Sequence, residues 1–304
     1  MLPSAMSYED VLYQLTQDHP EVVVMTAENR AAIRGLPEKL GPRFVDVGIC
    51  EQTLVGAAAG LALRGRIPVV HALASFLTMR AFEFIRTDVG LARLPVKLVG
   101  GVPGFLSEAN GPTHQAIEDV ALMRSVPGME IFCPSDEEEL LQGLPLALAS
   151  PAPAYIRFNA LTAGVRHHVP VTWGRAETLG SGSDVALLTY GLMVHEGVAA
   201  LEELTKRGIS GRLVNLRTLV PLDLQAILLA GRETKLVVTL EDHLLTGGLF
   251  SITSELWARE GLATRLLPVA LQSWFTPAML PDVLRHEGFT GVQIAERIAR
   301  ELTL

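Results

Sequence analysis

The alternation of short apolar runs with longer amphipathic segments constrains the fold of this chain most. Eight short runs rich in apolar and β-branched residues predict buried strands: Val22–Met25, Pro68–His71, Val96–Gly100, Ile131–Cys133, Ala154–Phe158, Val185–Tyr190, Arg212–Asn215 and Lys235–Thr239. Longer segments with helical periodicity lie between them: Tyr8–Asp18, Glu51–Leu63, Leu77–Ala92, Glu137–Ala149, Met193–Arg207, Leu222–Ala230, Leu249–Glu260 and Asp282–Arg300. Strands that alternate with helices predict βαβ units and mainly parallel sheets, so the fold class is α/β.

The alternation occurs in two series, which predict two domains. The first series ends near Phe158, and residues 160–183 are rich in Gly, Thr, His and Pro without long periodicity, as linkers are. A chain of 304 residues can give each of two domains a core of its own. We therefore predict a first domain over residues 1–165, a linker over 166–182 and a second domain over 183–304.

Composition narrows the function classes. The net charge of -8 argues against a nucleic-acid surface or an anionic membrane as partner. Cys50 and Cys133 are the two cysteines, and their wide separation argues against a disulfide framework or a zinc site. The opening residues do not resemble a signal peptide, and no run approaches the ~20 apolar residues that a membrane span needs. The sequence therefore predicts a cytoplasmic protein.

Three segments carry side chains suited to a site, and each has a simpler explanation. Glu51 lies where an extended segment enters a helix, so it could be a capping acid stabilised by the helix dipole. Phe76, Met79 and either Arg80 or Phe82 are three or four residues apart, which is also typical of a helix face packed in a core.

The third segment is a Gly-Pro loop after the Val96–Gly100 run. It presents Asn110, His114 and Gln115, and in open α/β sheets ligands bind beyond the carboxyl ends of strands. A single loop histidine is nevertheless more often a surface residue.

Taken together, in this order and spacing, the segments resemble a known family. The stretches Phe44–Gln52, Ser75–Phe84 and Gly111–Gln115 resemble the pyrimidine-binding domain of transketolases, and three further stretches agree: Leu122–Met129, Cys133–Asp136 and Tyr155–Arg157. The second half is similar to the transketolase C-terminal domain over Ala186–Glu196, Leu213–Asp223 and Val237–Gly248. The resemblance covers nearly the whole chain and implies two three-layer α/β/α domains.

The resemblance implies roles for individual residues in binding and activating thiamine diphosphate. Glu51 matches the glutamate that shares a proton with the aminopyrimidine ring and thereby activates the cofactor. Phe76 matches the aromatic that stacks on that ring, and Met79 and Phe82 match positions that line its pocket. His114 matches a catalytic residue that contacts the donor substrate near its C1 and C2 oxygens.

Substrate contacts implied by the resemblance are incomplete. Arg157 matches an arginine that holds the substrate phosphate, a task for which a guanidinium is well suited. Asn110 stands where typical transketolases have an aspartate that binds a sugar hydroxyl, and Val102 stands where many have a histidine that contacts phosphate. The opening Pro3–Tyr8 segment has no arginine, although sugar-phosphate transketolases usually have one there. We expect either an acceptor other than an ordinary long sugar phosphate, or contacts supplied by a partner subunit.

A partner is also implied by what the 304 residues do not contain. The Gly-Asp-Gly…Asn motif of the family, which binds the diphosphate and its metal, is absent from the sequence. We expect a partner subunit to hold the diphosphate with Mg²⁺ or Ca²⁺, and this chain to hold no metal. The expected assembly is an α2β2 heterotetramer that acts on small sugar substrates.

Two other functions remain open at this point. One is a decarboxylating enzyme similar to 1-deoxyxylulose-phosphate synthase or to the β subunit of 2-oxoacid dehydrogenases. The other is a non-catalytic partner subunit, against which the presence of Glu51 argues. Glu241, Asp242 and His243 also follow a predicted strand, and they predict either a metal or acid–base site or a structural or subunit-contact loop.

Overall fold

Two parallel-based sheets, each flanked by helices, make up the chain. The structure is a computed structural model that describes residues 6–162 and 164–303. The strands are β1 (Val22–Thr26), β2 (Phe44–Asp46), β3 (Ile67–Leu73), β4 (Lys97–Gly101), β5 (Glu130–Phe132), β6 (Ala154–Arg157), β7 (Glu177–Gly180), β8 (Val185–Thr189), β9 (Gly211–Asn215), β10 (Thr218–Val220), β11 (Leu236–Leu244) and β12 (Arg265–Leu271).

The helices alternate with these strands. They are α1 (Tyr8–Asp18), α2 (Leu36–Leu40), α3 (Glu51–Ala62), α4 (Phe82–Phe84), α5 (Asp119–Arg124), α6 (Glu137–Ala149), α7 (Met193–Lys206), α8 (Leu224–Glu233), α9 (Leu249–Glu260), α10 (Leu280–Glu287) and α11 (Gly291–Leu302). Side chains cap several of them where the sequence offers Ser, Thr or Asp. Ser7 and Thr290 form capping boxes, and Asp136 accepts from the backbone N–H of Glu139.

The first sheet has seven strands in the order β10-β5-β6-β4-β3-β1-β2, parallel except for β10. The second sheet has five strands in the order β12-β11-β8-β9-β7, parallel except for β7. These sheets confirm the predicted α/β class with two mainly parallel units. No helix within the described ranges combines the length and the apolar composition needed to cross a membrane.

The structure corrects several local predictions. The strand Glu177–Gly180 lies inside the predicted linker and pairs with the second sheet. The predicted helix Leu77–Ala92 is two wide π-helical stretches, Phe76–Arg80 and Ile85–Gly90, on either side of α4. The predicted helix Asp282–Arg300 is two helices, because Gly288 adopts a left-handed conformation (φ 79°) that ends α10.

The halves of the chain are joined by a strand that crosses between them. Residues Thr218–Val220 belong by sequence to the second half, yet they pair antiparallel with β5 at the edge of the first sheet. The crossing brings Arg217 into contact with the first domain. Arg217 is 1 % exposed and donates to the carboxylates of Glu139, in α6, and Glu177, in β7.

His167 completes this buried network. One ring nitrogen lies 2.6 Å from Glu177 Oε2 and the other 3.0 Å from Asp136 Oδ2. Ligand atoms of Glu139, His167 and Glu177 lie within 4.8 Å of one another, a spacing that a metal ion could use. The cation of Arg217 already binds both carboxylates, so the cluster is an ion-pair network rather than a metal centre.

The network predicts a pH dependence of stability. Burial alone would lower the pKa of His167, but its bonds to Asp136 and Glu177 and the charge of Glu139 outweigh burial and raise the pKa from 6.5 to about 10. Because its pKa is raised in the folded state, protonated His167 stabilises the folded chain fully at pH values below 6.5. This stabilisation is lost as the pH rises through about 10. We expect the difference in unfolding free energy between the wild type and His167→Gln to be largest near pH 6.

Urea unfolding of both proteins at pH 6, 8 and 10 measures this difference. It should shrink steadily toward pH 10, and a difference that stays constant over this range would contradict the assignment.

The dependence of stability on pH in the acid range comes from a different residue, Glu177. Burial would raise the pKa of Glu177, but bonds from His167 and from the backbone N–H of His168, with the charge of Arg217, lower it to about 2. The contribution of Glu177 is therefore present above pH 4.5 and is lost as pH falls toward 2.

Candidate active site

The site residues predicted from sequence follow three strands of the first sheet. Glu51 follows β2, Phe76 follows β3, and a loop over residues 102–115 follows β4. These strands are parallel, so their carboxyl ends meet at one edge of the sheet, where ligands bind in open α/β folds. The topology thus brings distant parts of the sequence to one place.

Glu51 is buried and its carboxylate has a specific partner. The residue is 2 % exposed although it is the first residue of α3. Its Oε2 accepts a hydrogen bond of 2.8 Å from Nη1 of Arg80. A buried carboxylate that bonds a side chain 29 positions along the chain is more than a helix cap, so the simpler explanation of Glu51 is insufficient.

Phe76 lies between Arg80 and His114. The guanidinium carbon of Arg80 is 4.2 Å from the centroid of the Phe76 ring. The His114 ring meets the same phenyl ring edge-on, with centroids 5.0 Å apart and planes at 60°. The structure therefore brings Glu51, Phe76 and His114 into one cluster, in which Arg80 lies between Glu51 and Phe76.

Arg80 is the site residue to which sequence reasoning assigned no function. It belongs to the helix-face pattern of Phe76, but an arginine at helical spacing on an amphipathic segment usually extends into solvent. The signal that could have identified it is its position four residues after Phe76 and on the same face.

The remaining pocket and substrate candidates lie nearby with weaker ties. Met79 is half-buried, and Phe82 is half-buried and packs against the core of the first domain. Asn110 is exposed and donates to the backbone carbonyl of Ser107. Their roles toward cofactor or substrate remain predictions.

Residues of the second domain form hydrogen bonds with the loop that carries His114. Gln115 Nε2 donates to the carbonyl of Phe275, and the backbone N–H of Leu280, the first residue of α10, donates to Glu108 Oε1. Within this loop Val102 and Glu108 have positive φ values of 48° and 46°, which is costly for residues other than glycine. The contacts from the second domain help to maintain this strained loop, so His114 depends on both domains.

Arg157 is in a different environment from the one the sequence predicts. It is 3 % exposed and bonds Asp119 through Nε and Asp242 through Nη1, at 3.0 and 2.6 Å. Asp242 comes from β11 of the second domain, so Arg157 is a residue of the domain interface. A guanidinium paired with two buried carboxylates is poorly placed to bind an anionic ligand, and the role of Arg157 toward a substrate phosphate stays a prediction.

The trio Glu241, Asp242 and His243 faces three different surroundings. Glu241 accepts from the backbone N–H groups of Leu249 and Phe250 at the start of α9, and burial raises its pKa to about 8. Asp242 binds Arg157, and Nε2 of His243 accepts from the backbone N–H of Ala121. The three side chains share no ligand site, so the structural interpretation of this segment holds.

A cavity of about 220 Å³ lies against the loop that carries Asn110 and His114. It is lined by Val102, Leu106, Glu108, Phe158, Asn159, Ala160, Leu161 and Leu280. None of these residues is basic, and Glu108 is acidic. The Pro3–Tyr8 segment has no arginine in its sequence. Pro3, Ser4 and Ala5 of this segment lie outside the described residues.

The carboxylate, aromatic face and imidazole of this cluster fit a flat, nitrogen-containing heterocycle. Residues 2–163 match the family model described as the transketolase pyrimidine-binding domain, and residues 174–294 match the transketolase C-terminal domain. The subunit SqwH of a 6-deoxy-6-sulfo-D-fructose transketolase from Clostridium sp. (strain MSTE9) is 36% identical over 98% of this chain and 93% of its own length.

A 1-deoxy-D-xylulose-5-phosphate synthase from Synechococcus sp. (strain JA-2-3B'a(2-13)) is also 36% identical over 97% of this chain. The chain spans about half of the length of that relative, 47%.

Solved structures agree with these matches. A split-gene transketolase, solved as an inactive β4 tetramer, superposes with a TM-score of 0.88 and 31% identity, over 98% of this chain and 97% of the other. A transketolase from Pichia stipitis shares the fold, with a TM-score of 0.77 at 21% identity over 97% of this chain and 45% of its own. This chain therefore belongs to the transketolase family of thiamine-diphosphate-dependent enzymes, as a pyrimidine-binding domain followed by a transketolase C-terminal domain.

Proposed function

We propose that this chain is the β-type subunit of a split transketolase, which transfers a two-carbon ketol unit from a ketose donor to an aldose acceptor. One observation carries the proposal: a buried glutamate, an aromatic ring and a histidine from three separate segments converge at the carboxyl edge of the pyrimidine-binding domain. The near-complete overlap with a transketolase subunit supports the transferase activity and the division between two chains.

The residues of this chain would each contribute one contact in the proposed complex. Thiamine diphosphate, when bound, supplies the nucleophilic carbon that carries the two-carbon unit. Glu51 would exchange a proton with a nitrogen of the pyrimidine ring, in a site dry enough for a carboxyl group to share it. Phe76 would offer its face to that ring, and His114 would hydrogen-bond the donor oxygens near C1 and C2.

A partner subunit is part of the proposal. We infer that it carries the diphosphate-binding domain and holds the diphosphate with Mg²⁺ or Ca²⁺, in an α2β2 heterotetramer. The names of two matches that are covered over nearly their whole length, a transketolase subunit and a split-gene transketolase, support this division of the enzyme.

The cavity beside the His114 loop bears on the substrate. Because none of its described lining residues is basic, and Arg157 is withdrawn into the domain interface, this chain offers no evident cation for a phosphate there. We propose that the far end of the substrate is either uncharged or bound by the partner subunit.

A second function deserves a direct comparison, because a decarboxylating synthase is as similar in identity as the transketolase subunit. The complex with the diphosphate-binding subunit should be assayed with pentose-phosphate and ketose donors and aldose acceptors, and in parallel with pyruvate and an aldehyde. We expect ketol transfer without carbon dioxide. Release of carbon dioxide from pyruvate would favour the synthase. Full activity with ordinary sugar phosphates would contradict the expectation that the acceptor is an unusual substrate.

A further inference from the structure

We propose that Arg80 is a placeholder for the aminopyrimidine ring: it fills the pyrimidine site of the free chain and moves away when the ring enters. The inference rests on the proposed function, because it assumes that Glu51 and Phe76 receive that ring. The contacts that suggest it are the two already measured, from Arg80 to the Glu51 carboxylate at 2.8 Å and to the Phe76 ring at 4.2 Å.

The shape and chemistry of the guanidinium suit this role. A guanidinium is flat, carries N–H donors in its plane and stacks on aromatic rings. An aminopyrimidine presents the same combination of a stacking face and a polar edge. Arg80 therefore satisfies with one group both contacts that Glu51 and Phe76 would otherwise make to the ring.

Burial explains why the free chain would need a placeholder. Glu51 is 2 % exposed, and a buried carboxylate without a partner is destabilising. A cation that pairs with it removes most of that penalty while the pyrimidine is absent. The same cation competes with the ring for the carboxylate, so the placeholder lowers the apparent affinity for the cofactor.

The setting of Arg80 differs from that of the buried arginines Arg157 and Arg217. The side chains of Arg157 and Arg217 are 3 % and 1 % exposed, and each binds two carboxylates. The side chain of Arg80 is 42 % exposed and binds one. Departure of its guanidinium into water therefore breaks a single ion pair and needs little rearrangement.

The backbone at Arg80 is also suited to adjustment. Arg80 ends the π-helical stretch Phe76–Arg80, and Ala81 after it has non-helical angles (φ -100°, ψ 13°). Wide turns of this kind are frequent at functional sites. The stretch carries both the stacking ring and the cation, so a small change in its winding would move Arg80 relative to Phe76.

Replacing Arg80 with methionine tests the proposal, because methionine keeps an apolar stem and removes the cation. In the complex with the diphosphate-binding subunit, calorimetric titration with thiamine diphosphate should give a Kd about three- to tenfold lower for Arg80→Met than for the wild type. The isolated Arg80→Met chain should melt at a lower temperature than the wild-type chain, since Glu51 is left unpaired. Arg80→Lys should lie between them, and Arg86→Met, at an exposed arginine of the next helical stretch, should match the wild type.

The outcomes separate the placeholder from the proposed function. Weaker or unchanged cofactor binding by Arg80→Met would overturn the placeholder, and weaker binding would show instead that Arg80 stays beside the bound ring. An unchanged melting temperature of the isolated variant would also overturn it, because the ion pair would then be absent from the free chain. Failure of the wild-type complex to bind thiamine diphosphate at all would overturn the proposed function and the placeholder with it.

Discussion

Replacing Glu51 with glutamine in the assembled complex is expected to lower kcat by about 10²–10⁴-fold. Glutamine keeps the size of the side chain and in the free chain still accepts a hydrogen bond from Arg80, but it cannot exchange the proton that the pyrimidine ring requires. Aspartate should fail for a different reason, since its shorter side chain does not reach. Steady-state ketol transfer by the complex measures both variants.

A matched control separates this effect from a general loss of charge. Glu138→Gln changes an exposed glutamate of α6 and should leave kcat unchanged. The Glu51→Gln chain should also assemble with its partner as the wild type does. Wild-type turnover by the Glu51→Gln complex would instead support a non-catalytic subunit that merely keeps the fold.

The second large effect concerns stability. Replacing Arg217 with methionine is expected to destabilise the chain by about 3–5 kcal/mol, because it leaves the buried carboxylates of Glu139 and Glu177 with His167 as the one cation between them. Denaturant unfolding of the isolated chain at pH 7 gives the free energy directly. The loss should exceed that of any exposed ion pair.

Arg265→Met provides the comparison. Arg265 pairs with Glu301 at a half-exposed site, and such pairs contribute about 0–1 kcal/mol. If Arg217→Met and Arg265→Met lower the free energy of unfolding by the same amount, the buried network does not join the domains as described. A double variant Arg217→Met with Glu139→Gln should recover part of the loss, since it removes one of the two carboxylates that have lost their arginine.

Sequence patterns predicted the interior of the fold better than its edges. Buried central strands such as Val22–Thr26 and Val185–Thr189 are continuous apolar runs, and these were predicted within a residue or two. The edge strands β2, β7, β10 and β12 were missed: the first three are only three or four residues long, and β12 is partly exposed and contains Pro268. Their formation depends on neighbouring strands that sequence periodicity does not reveal.

The candidate site shows the same limit for side chains. The resemblance assigned Glu51, Phe76 and His114 to one site, and the parallel sheet brings them together. The partners of Arg157 could not be predicted, because a motif specifies a residue type and not its contacts, and here Asp119 and Asp242 bind the guanidinium. Arg80 was overlooked for the converse reason, since its importance arises only from contacts across 29 positions of sequence.

The central claim is that this chain is one half of an enzyme, and the most direct test is the rate of ketol transfer measured in three samples. The first contains this chain alone, the second the diphosphate-binding subunit alone and the third an equimolar mixture, each with thiamine diphosphate and Mg²⁺. The account predicts turnover in the mixture only. Turnover by this chain alone at the rate of the mixture would contradict it.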